Sequence, residues 1–292
     1  MGSNRKISII LPNDALEAHS TKMSNWNIMP YRRVDECLMS KPDRKLSEII
    51  TGYEQVNVVE DTTESATFYP TANTSLAFYC GPDTPFIYIT GPMTRPIQFT
   101  DVKPGTYFVI LFSPAKLFTV DEVPLNEFHN QWVPIENIPI HNFHTLSEQL
   151  SRASTFRERI MLWESHFYPG WFDKLRNVPF WVNEILTTVS KDPTNFDDKK
   201  LSKLTGYTVR RTRDIFRRYT GITPKDYRRI LRYKLSLYNL TTNPRTNLAG
   251  LANNLGFFDQ AHFVNDFKKF HGSTPTQFIE EFLNSSIKSL PL

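Results

Sequence analysis

Three stretches of the 292-residue chain differ in how apolar and polar positions alternate. From about Ser65 to Phe112 the apolar runs are short: Ala66–Tyr69, Leu76–Cys80, Phe86–Thr90 and Tyr107–Phe112. Between them stand Gly81-Pro82-Asp83, Gly91-Pro92 and Lys103-Pro104-Gly105. Short β-forming runs cut by Pro/Gly turns predict an antiparallel sandwich or barrel. From His144 the period lengthens. Leu146, Leu150, Ala153, Ile160 and Phe167 recur at helical spacing, which predicts one long amphipathic helix ending near Pro169-Gly170. Its stripe has two readings: packing on its own β domain, or a dimer interface. A further helix is predicted over Phe180–Val189, stopped by Lys191-Asp192-Pro193.

The rest of the chain repeats itself. Phe216-Arg-Arg-Tyr-Thr-Gly-Ile-Thr-Pro-Lys-Asp-Tyr227 matches Phe267-Lys-Lys-Phe-His-Gly-Ser-Thr-Pro-Thr-Gln-Phe278 position by position. Upstream, Gly206-Tyr207 matches Gly256-Phe257, and the short segments Asp198–Thr205 and Leu248–Leu255 precede them. Each copy reads as helix, glycine turn, second helix, glycine stop, then Thr-Pro opening another helix. The linking segment, Pro224–Leu240, is itself a predicted helix with an apolar stripe of Tyr227, Leu231, Leu235 and Tyr238; Arg228, Arg229 and Arg232 lie off it. The prediction is thus an α+β multidomain chain: 1–142 a β-rich sensing or dimerising domain, 143–175 a connecting helical region, 176–292 an all-α domain with two helix-turn-helix units.

Charge sharpens this division. The segment from Arg176 onward holds 19 Lys+Arg against 10 Asp+Glu, whereas the whole chain balances to only +4. A cationic helical end points to a polyanion, with nucleic acid the first candidate. No run reaches the ~20 apolar residues of a membrane helix. Met1–Ser20 has no signal-peptide core, so a cytoplasmic protein is expected. Two cysteines, Cys37 and Cys80, build neither a disulfide framework nor a four-cysteine zinc site; Cys80 is expected to be a buried thiol. Enzyme signatures are missing: there is no phosphate loop and no nucleophile elbow. His141 and His144 have no third ligand at metal spacing. Neither metal nor cofactor is expected.

The repeat resembles the DNA-binding domain of the AraC/XylS family of bacterial transcription regulators. The stretch carrying it is Leu248-Ala-Gly-Leu-Ala252, Gly256-Phe257, Asp259-Gln260, His262-Phe263, Phe267-Lys-Lys269 and Gly272, Thr274-Pro275. The first copy adds Phe216-Arg-Arg218, Gly221, Thr223-Pro224 and Tyr227-Arg228. The resemblance implies that the second helix of each unit enters the major groove. Two such helices on one DNA face stand about one helical turn (~34 Å) apart. It implies promoter DNA and RNA polymerase as partners, with a small-molecule effector and a homodimer as further possibilities, and no membrane. DNA-repair alkyl transferases also carry this DNA-binding unit, but they need a cysteine zinc site and an acceptor cysteine, which two cysteines cannot supply. A second reading is an interaction protein, an anti-activator that pairs with a related regulator.

Carried over position by position, base edges fall to Arg210, Arg213, Asp214 and Arg217 in the first unit and to Gln260, Ala261, Val264 and Asn265 in the second. Arginine suits guanine, Gln and Asn suit adenine, and Ala or Val meets a thymine methyl. Arg211, Arg218, Lys268 and Lys269 are expected on phosphates. The first unit departs from the family pattern: Thr212 stands for a buried leucine, Ser202 for alanine, Asp198 for an aliphatic, and Asp214 and Asn265 for arginines. The expectation is a less apolar first unit, with Asp214 either reading cytosine or pairing with Arg210, Arg217 or Arg218. Gly91-Pro-Met-Thr-Arg-Pro96, Gly105–Phe112 and Asn130-Gln-Trp-Val-Pro-Ile-Glu136 resemble an uncharacterised β-rich N-terminal domain of some members. Arg95 and Lys103, near turns, are its candidates to orient an effector. Its crowded aromatics, Phe68 to Phe112, read as core or as pocket lining.

Overall fold

The computed structural model describes residues 36–58, 66–99, 102–116, 123–137, 143–167 and 178–287. The expectations for Met1–Ser20 and His141 lie outside these residues. Eight strands are described: β1 (Glu36–Ser40), β2 (Ile50–Val58), β3 (Ala66–Phe68), β4 (Thr74–Cys80), β5 (Ile87–Thr90), β6 (Ile97–Phe99), β7 (Gly105–Phe112) and β8 (Trp132–Pro134). Six make an antiparallel sheet in the order β1-β2-β7-β4-β5-β8, and β3 pairs with β6 beside it. β1 and β2 precede the run of strands expected from sequence. The polar letters of β2, Glu54, Gln55 and Asn57, hide a strand whose residues Tyr53 to Val56 are all buried.

Alternation along the strands sorts the sheet into two faces. Leu76 and Phe78 on β4, Ile87 and Ile89 on β5, and Phe108, Ile110 and Phe112 on β7 enter one core. Two helices cover that face: α1 (Phe143–Arg152) and α2 (Phe156–Phe167), through Phe143, Leu146, Leu150 and Trp163. The stripe therefore packs on its own sheet. Trp163 lies 6.0 Å from Phe78 and 6.3 Å from Phe112, ring centre to ring centre. The residues between, Ser75, Ala77, Thr90, Val109 and Leu111, point the other way and line a small cavity.

The single long helix expected from His144 is two. Thr155 Oγ1 accepts from Glu158 N–H, and Glu158 Oε2 accepts from the N–H groups of Ser154 and Thr155. This capping box starts α2 afresh. Buried Arg159 locks the break: its Nε and Nη2 donate to the Leu150 and Ala153 carbonyls, and Nη1 donates to Gln55 on β2.

Seven helices follow: α3 (Phe180–Lys191), α4 (Asp198–Thr205), α5 (Val209–Thr220), α6 (Pro224–Thr242), α7 (Leu248–Asn254), α8 (Gln260–His271) and α9 (Pro275–Ile287). Side chains of Asp197, Thr208, Thr223, Asn247 and Asp259 accept from the first-turn N–H groups of α4 to α8 in order. The glycine stops of α5 and α8 match: Gly221 has φ +80° and Gly272 φ +94°, the left-handed cap that glycine adopts freely.

α6 departs from its expected stripe. Tyr238 is 38% exposed and Leu235 half-buried, while Ile230, Tyr233, Leu237 and Leu240 are buried on other sides. Arg232 and Lys234 are buried too. The cause is its position. α3, α5, α8 and α9 pack on it, and Tyr233, Lys234 and Leu237 lie over the second face of the sheet. With neighbours on several sides, α6 has no single apolar stripe.

Candidate nucleic-acid interface

α5 buries Thr212, Phe216 and Thr220 at spacing of four. Arg210, Asp214 and Arg217, at i, i+4 and i+7, therefore share the opposite, exposed face. Arg211 and Arg218 flank it, exposed, and the Arg211 guanidinium sits 5.2 Å from the Tyr207 ring centre. Arg213 differs from its expected neighbours: it lies half-buried on the other flank and is engaged within the protein. Among the described residues no ion pair joins Asp214 to Arg210, Arg217 or Arg218. The odd Thr212 is fully buried, and its hydroxyl is paired with that of Thr205 at 2.8 Å. A hydrogen-bonded threonine fills the leucine position without an orphaned polar group. Ser202 is half-buried; the side chain of Asp198 is outside the described ones.

α8 buries Phe263, Asp266, Phe267, Phe270 and His271. Ala261, Asn265 and Lys268 line its exposed face, with Gln260 exposed at the start and Val264 half-buried beside it. Lys269, also exposed, falls on the flank that turns toward α6, together with His262. Both helices thus present polar faces from firmly packed bodies. α6 separates and holds them, with Phe216 on Tyr227 at 6.3 Å and Tyr233 on Phe267 at 5.6 Å.

Contacts between the two domains are tight. The 3-10 turn Leu125–Phe128 packs on α5. The two N-terminal motifs clasp each other there. Gly91 N–H donates to the Gln131 carbonyl, Asn130 N–H to Pro92, and Thr94 N–H to Asn130 Oδ1 at 2.8 Å. This clasp presents Pro92 and the Leu125 carbonyl to Gly221. His129, within it, is held below the ordinary imidazole pKa by burial and then by the nearby Arg217. Tyr69 stacks on His271 at 4.6 Å.

Across this interface lies the small cavity, about 60 Å³, walled by Glu54, Trp132, Tyr233, Lys234 and Leu237 among others. Burial pushes the Lys234 ammonium down to about 8, opposed by the Glu54 carboxylate. Neither Arg95 nor Lys103 reaches this wall. Arg95 is exposed, and Lys103 bonds Asp83 at 3.0 Å. Sequence reasoning missed Glu54 and Lys234 because each is a polar letter in a polar-looking run. Cys80 is buried as expected, and burial raises its thiol pKa. His144 faces Glu148 at 3.4 Å. Among the described residues no group of three or more His, Cys, Asp or Glu is placed to hold a metal, and no helix is long and apolar enough to cross a membrane.

His271 supplies a pH test of this packing. Burial pushes its pKa from 6.5 to about 4, and its Nδ1 is hydrogen-bonded with Tyr233 Oη at 2.9 Å. The unfolded chain therefore takes up this proton first. Its share of stability is fully present above pH 6.5 and is lost as pH falls toward 4, on the order of 3 kcal/mol. Urea melts at stepped pH should show that loss, and His271→Phe should flatten it. An unchanged acid limb in the variant would mean another group carries it.

Known protein families match parts of this sequence. Residues 201–281 match a family described as a helix-turn-helix domain, and residues 39–134 match a domain family of unknown function (DUF6597). The C-terminal part of the chain therefore contains a helix-turn-helix domain, and a domain without an assigned role precedes it. The Msm operon regulatory protein of Streptococcus mutans is 34% identical over 87 residues, which is 30% of this chain and 30% of that protein. Among solved structures, a probable AraC family transcriptional regulator from Rhodopseudomonas palustris CGA009 is 21% identical. The match covers 36% of this chain and 98% of that one, with a TM-score of 0.32. ToxT from Vibrio cholerae is 12% identical over 84% of this chain and 97% of its own, with a TM-score of 0.39.

Proposed function

We propose that the chain is a sequence-specific transcription regulator that reads promoter DNA in two adjacent major-groove segments, with α5 and α8 as the reading helices. The observation that carries this reading is the pairing of exposed polar faces on two glycine-stopped helices held by one buried strut, α6. Arg210, Asp214 and Arg217 are the base readers of α5; Ala261 and Asn265, flanked by Gln260 and Val264, are those of α8. Arg213 reads less, being half-buried and engaged. Arg211, Arg218, Lys268 and Lys269 hold phosphates. The β-rich domain controls α5 through the Pro92–Gly221 contact, in answer to an effector or a second copy. Arg95 and Lys103 remain its candidate orienting cations, and RNA polymerase is the onward partner.

Full-length protein and DNA from upstream of its own gene and its neighbours test this. Affinity should fall steeply between 50 and 200 mM salt, because each neutralised phosphate releases counterions. Arg210→Ala and Arg217→Ala should each cost about 1–3 kcal/mol on the specific site and relax one position of it. Lys268→Gln should weaken all sequences alike. Affinity indifferent to salt and to both arginines would remove the reading.

A further inference from the structure

Between α6 and α8 lies a cleft of about 420 Å³ lined by Lys225, Arg228, Arg229, Arg232, His262, Asp266 and Lys269. Five cations face one carboxylate. Most of that charge is already used. Arg228 donates to three carbonyls, those of Pro193, Thr194 and Phe196, at 2.7–2.9 Å. Arg229 takes Asp266, at 2.5 Å from Nη2 and 3.1 Å from Nε, and leans on Asp226 at 3.7 Å.

Arg232 is different. It is 5% exposed, and its guanidinium lies over the Phe257 ring, 3.4 Å from the centre. Its Nε and Nη2 are buried without a hydrogen-bond partner. Buried donors on a charged group are costly to leave unmade. Burial, with Arg228 beside it, depresses the guanidinium to about 10. Asp266, the carboxylate of the cleft, accepts its hydrogen bonds from Arg229 and offsets the Arg232 charge only partly, without a hydrogen bond to it. Lys225 and Lys269, both exposed, stand at the rim with ammonium groups free to turn inward.

We infer that this cleft is a phosphate site, with Arg232 as its buried floor and Lys225 and Lys269 closing from the rim. Three uncommitted cations call for a multiply charged oxyanion, since a carboxylate offers one charge and two oxygens. The phosphate has two chemical sources. One is the backbone of a duplex seated on α8, which rests on the DNA reading above. The other is a free phosphorylated small molecule, which does not.

Inorganic phosphate, titrated into the full-length chain at constant ionic strength against chloride, probes the cleft without DNA. Melting temperature and calorimetric heat are the readouts. Lys225→Gln/Lys269→Gln alters exposed residues only; Arg232→Lys keeps the charge and the stack's position but loses the planar fork. The expected result is phosphate-specific stabilisation of the wild type, weakened about tenfold or more in each variant. A parallel salt series on DNA separates the sources. If Lys225→Gln alone and Arg232→Lys, neither among the DNA contacts named above, lower the salt slope by about 1 the occupant is backbone phosphate, and if they leave DNA binding unchanged it is a free phosphate ester. A wild type that answers phosphate and chloride alike, together with Arg232→Lys matching wild type on DNA, overturns the inference. The phosphate arm reads the same way if the chain binds no DNA at all, so failure of one reading is told from failure of the other.

Discussion

Gly221→Ala should destabilise the protein by about 2–5 kcal/mol, while Gly272→Ala, the same position in the second repeat, should cost about 1–2 kcal/mol. Both glycines end the second helix of a helix-turn-helix unit in the left-handed region, at φ +80° and +94°. An alanine pays that backbone strain at either place. What differs is the surroundings. A Cβ on Gly221 would stand 2.6 Å from Pro92 Cγ and 2.9 Å from the Leu125 carbonyl oxygen, whereas nothing lies within 4 Å of one on Gly272. The excess at Gly221 measures how closely the β-rich domain is held against α5. It can be read as the difference in urea midpoint between the two variants. Gly221→Ala should also expose the Arg217 flank, seen as altered DNA affinity with Gly272→Ala as control. Equal costs at the two sites would mean the domains do not meet there in solution.

Lys234→Met should cost about 3–5 kcal/mol, because it removes the buried ammonium that offsets the Glu54 carboxylate across the interface. Glu54 is 1% exposed and Lys234 7%, on opposite sides of the domain interface. Adding Glu54→Leu should recover most of the loss and can exceed wild type, since buried opposite charges are often replaceable by well-packed apolar groups. Guanidinium melts of the four-member cycle give the coupling directly. The pH dependence supplies a second readout. Lys234 is held at about 8 in the fold against 10.5 when unfolded, so the unfolded chain keeps its proton longer. Stability should therefore rise as pH climbs from 8 to 10.5, and Lys234→Met should lack that rise. A single variant costing under about 1 kcal/mol would place the ammonium in water.

What the sequence disclosed was local. Caps, glycine stops and the twofold repeat are written in adjacent letters, so α3, α4, α6 and α7 fall where the pattern puts them, within a residue or two, and α5 and α8 end at the glycine stops of the repeat. The break between α1 and α2 was equally local, in Thr155-x-x-Glu158, but the continuing apolar period masked it. The exposure of the positions carried over onto α5 and α8 agrees with helical spacing, except at Arg213, whose half-burial depends on what packs beside it. β2, Arg232 and Lys234 were illegible for a different reason. Each is polar by letter and buried by partners distant in sequence: Glu54 meets α6, and Arg232 meets Phe257. The GPMTRP and NQWVPIE motifs were visible, but their task, clasping each other against Gly221, needs both domains in view.

The enclosed position of α6 bears on how this chain should be dissected. A fragment cut near residue 176 would retain α5 and α8 and lose the sheet above Tyr233, Lys234 and Leu237. That strip would meet water for the first time. Its lysine would regain hydration and ordinary basicity, Tyr69 would no longer cover His271, and two newly wetted apolar side chains would invite self-association. Such a fragment is a different molecule in charge and in stickiness, not the intact domain minus a neighbour. DNA affinities measured on it and on the whole chain should diverge even though α5 and α8 are identical in both.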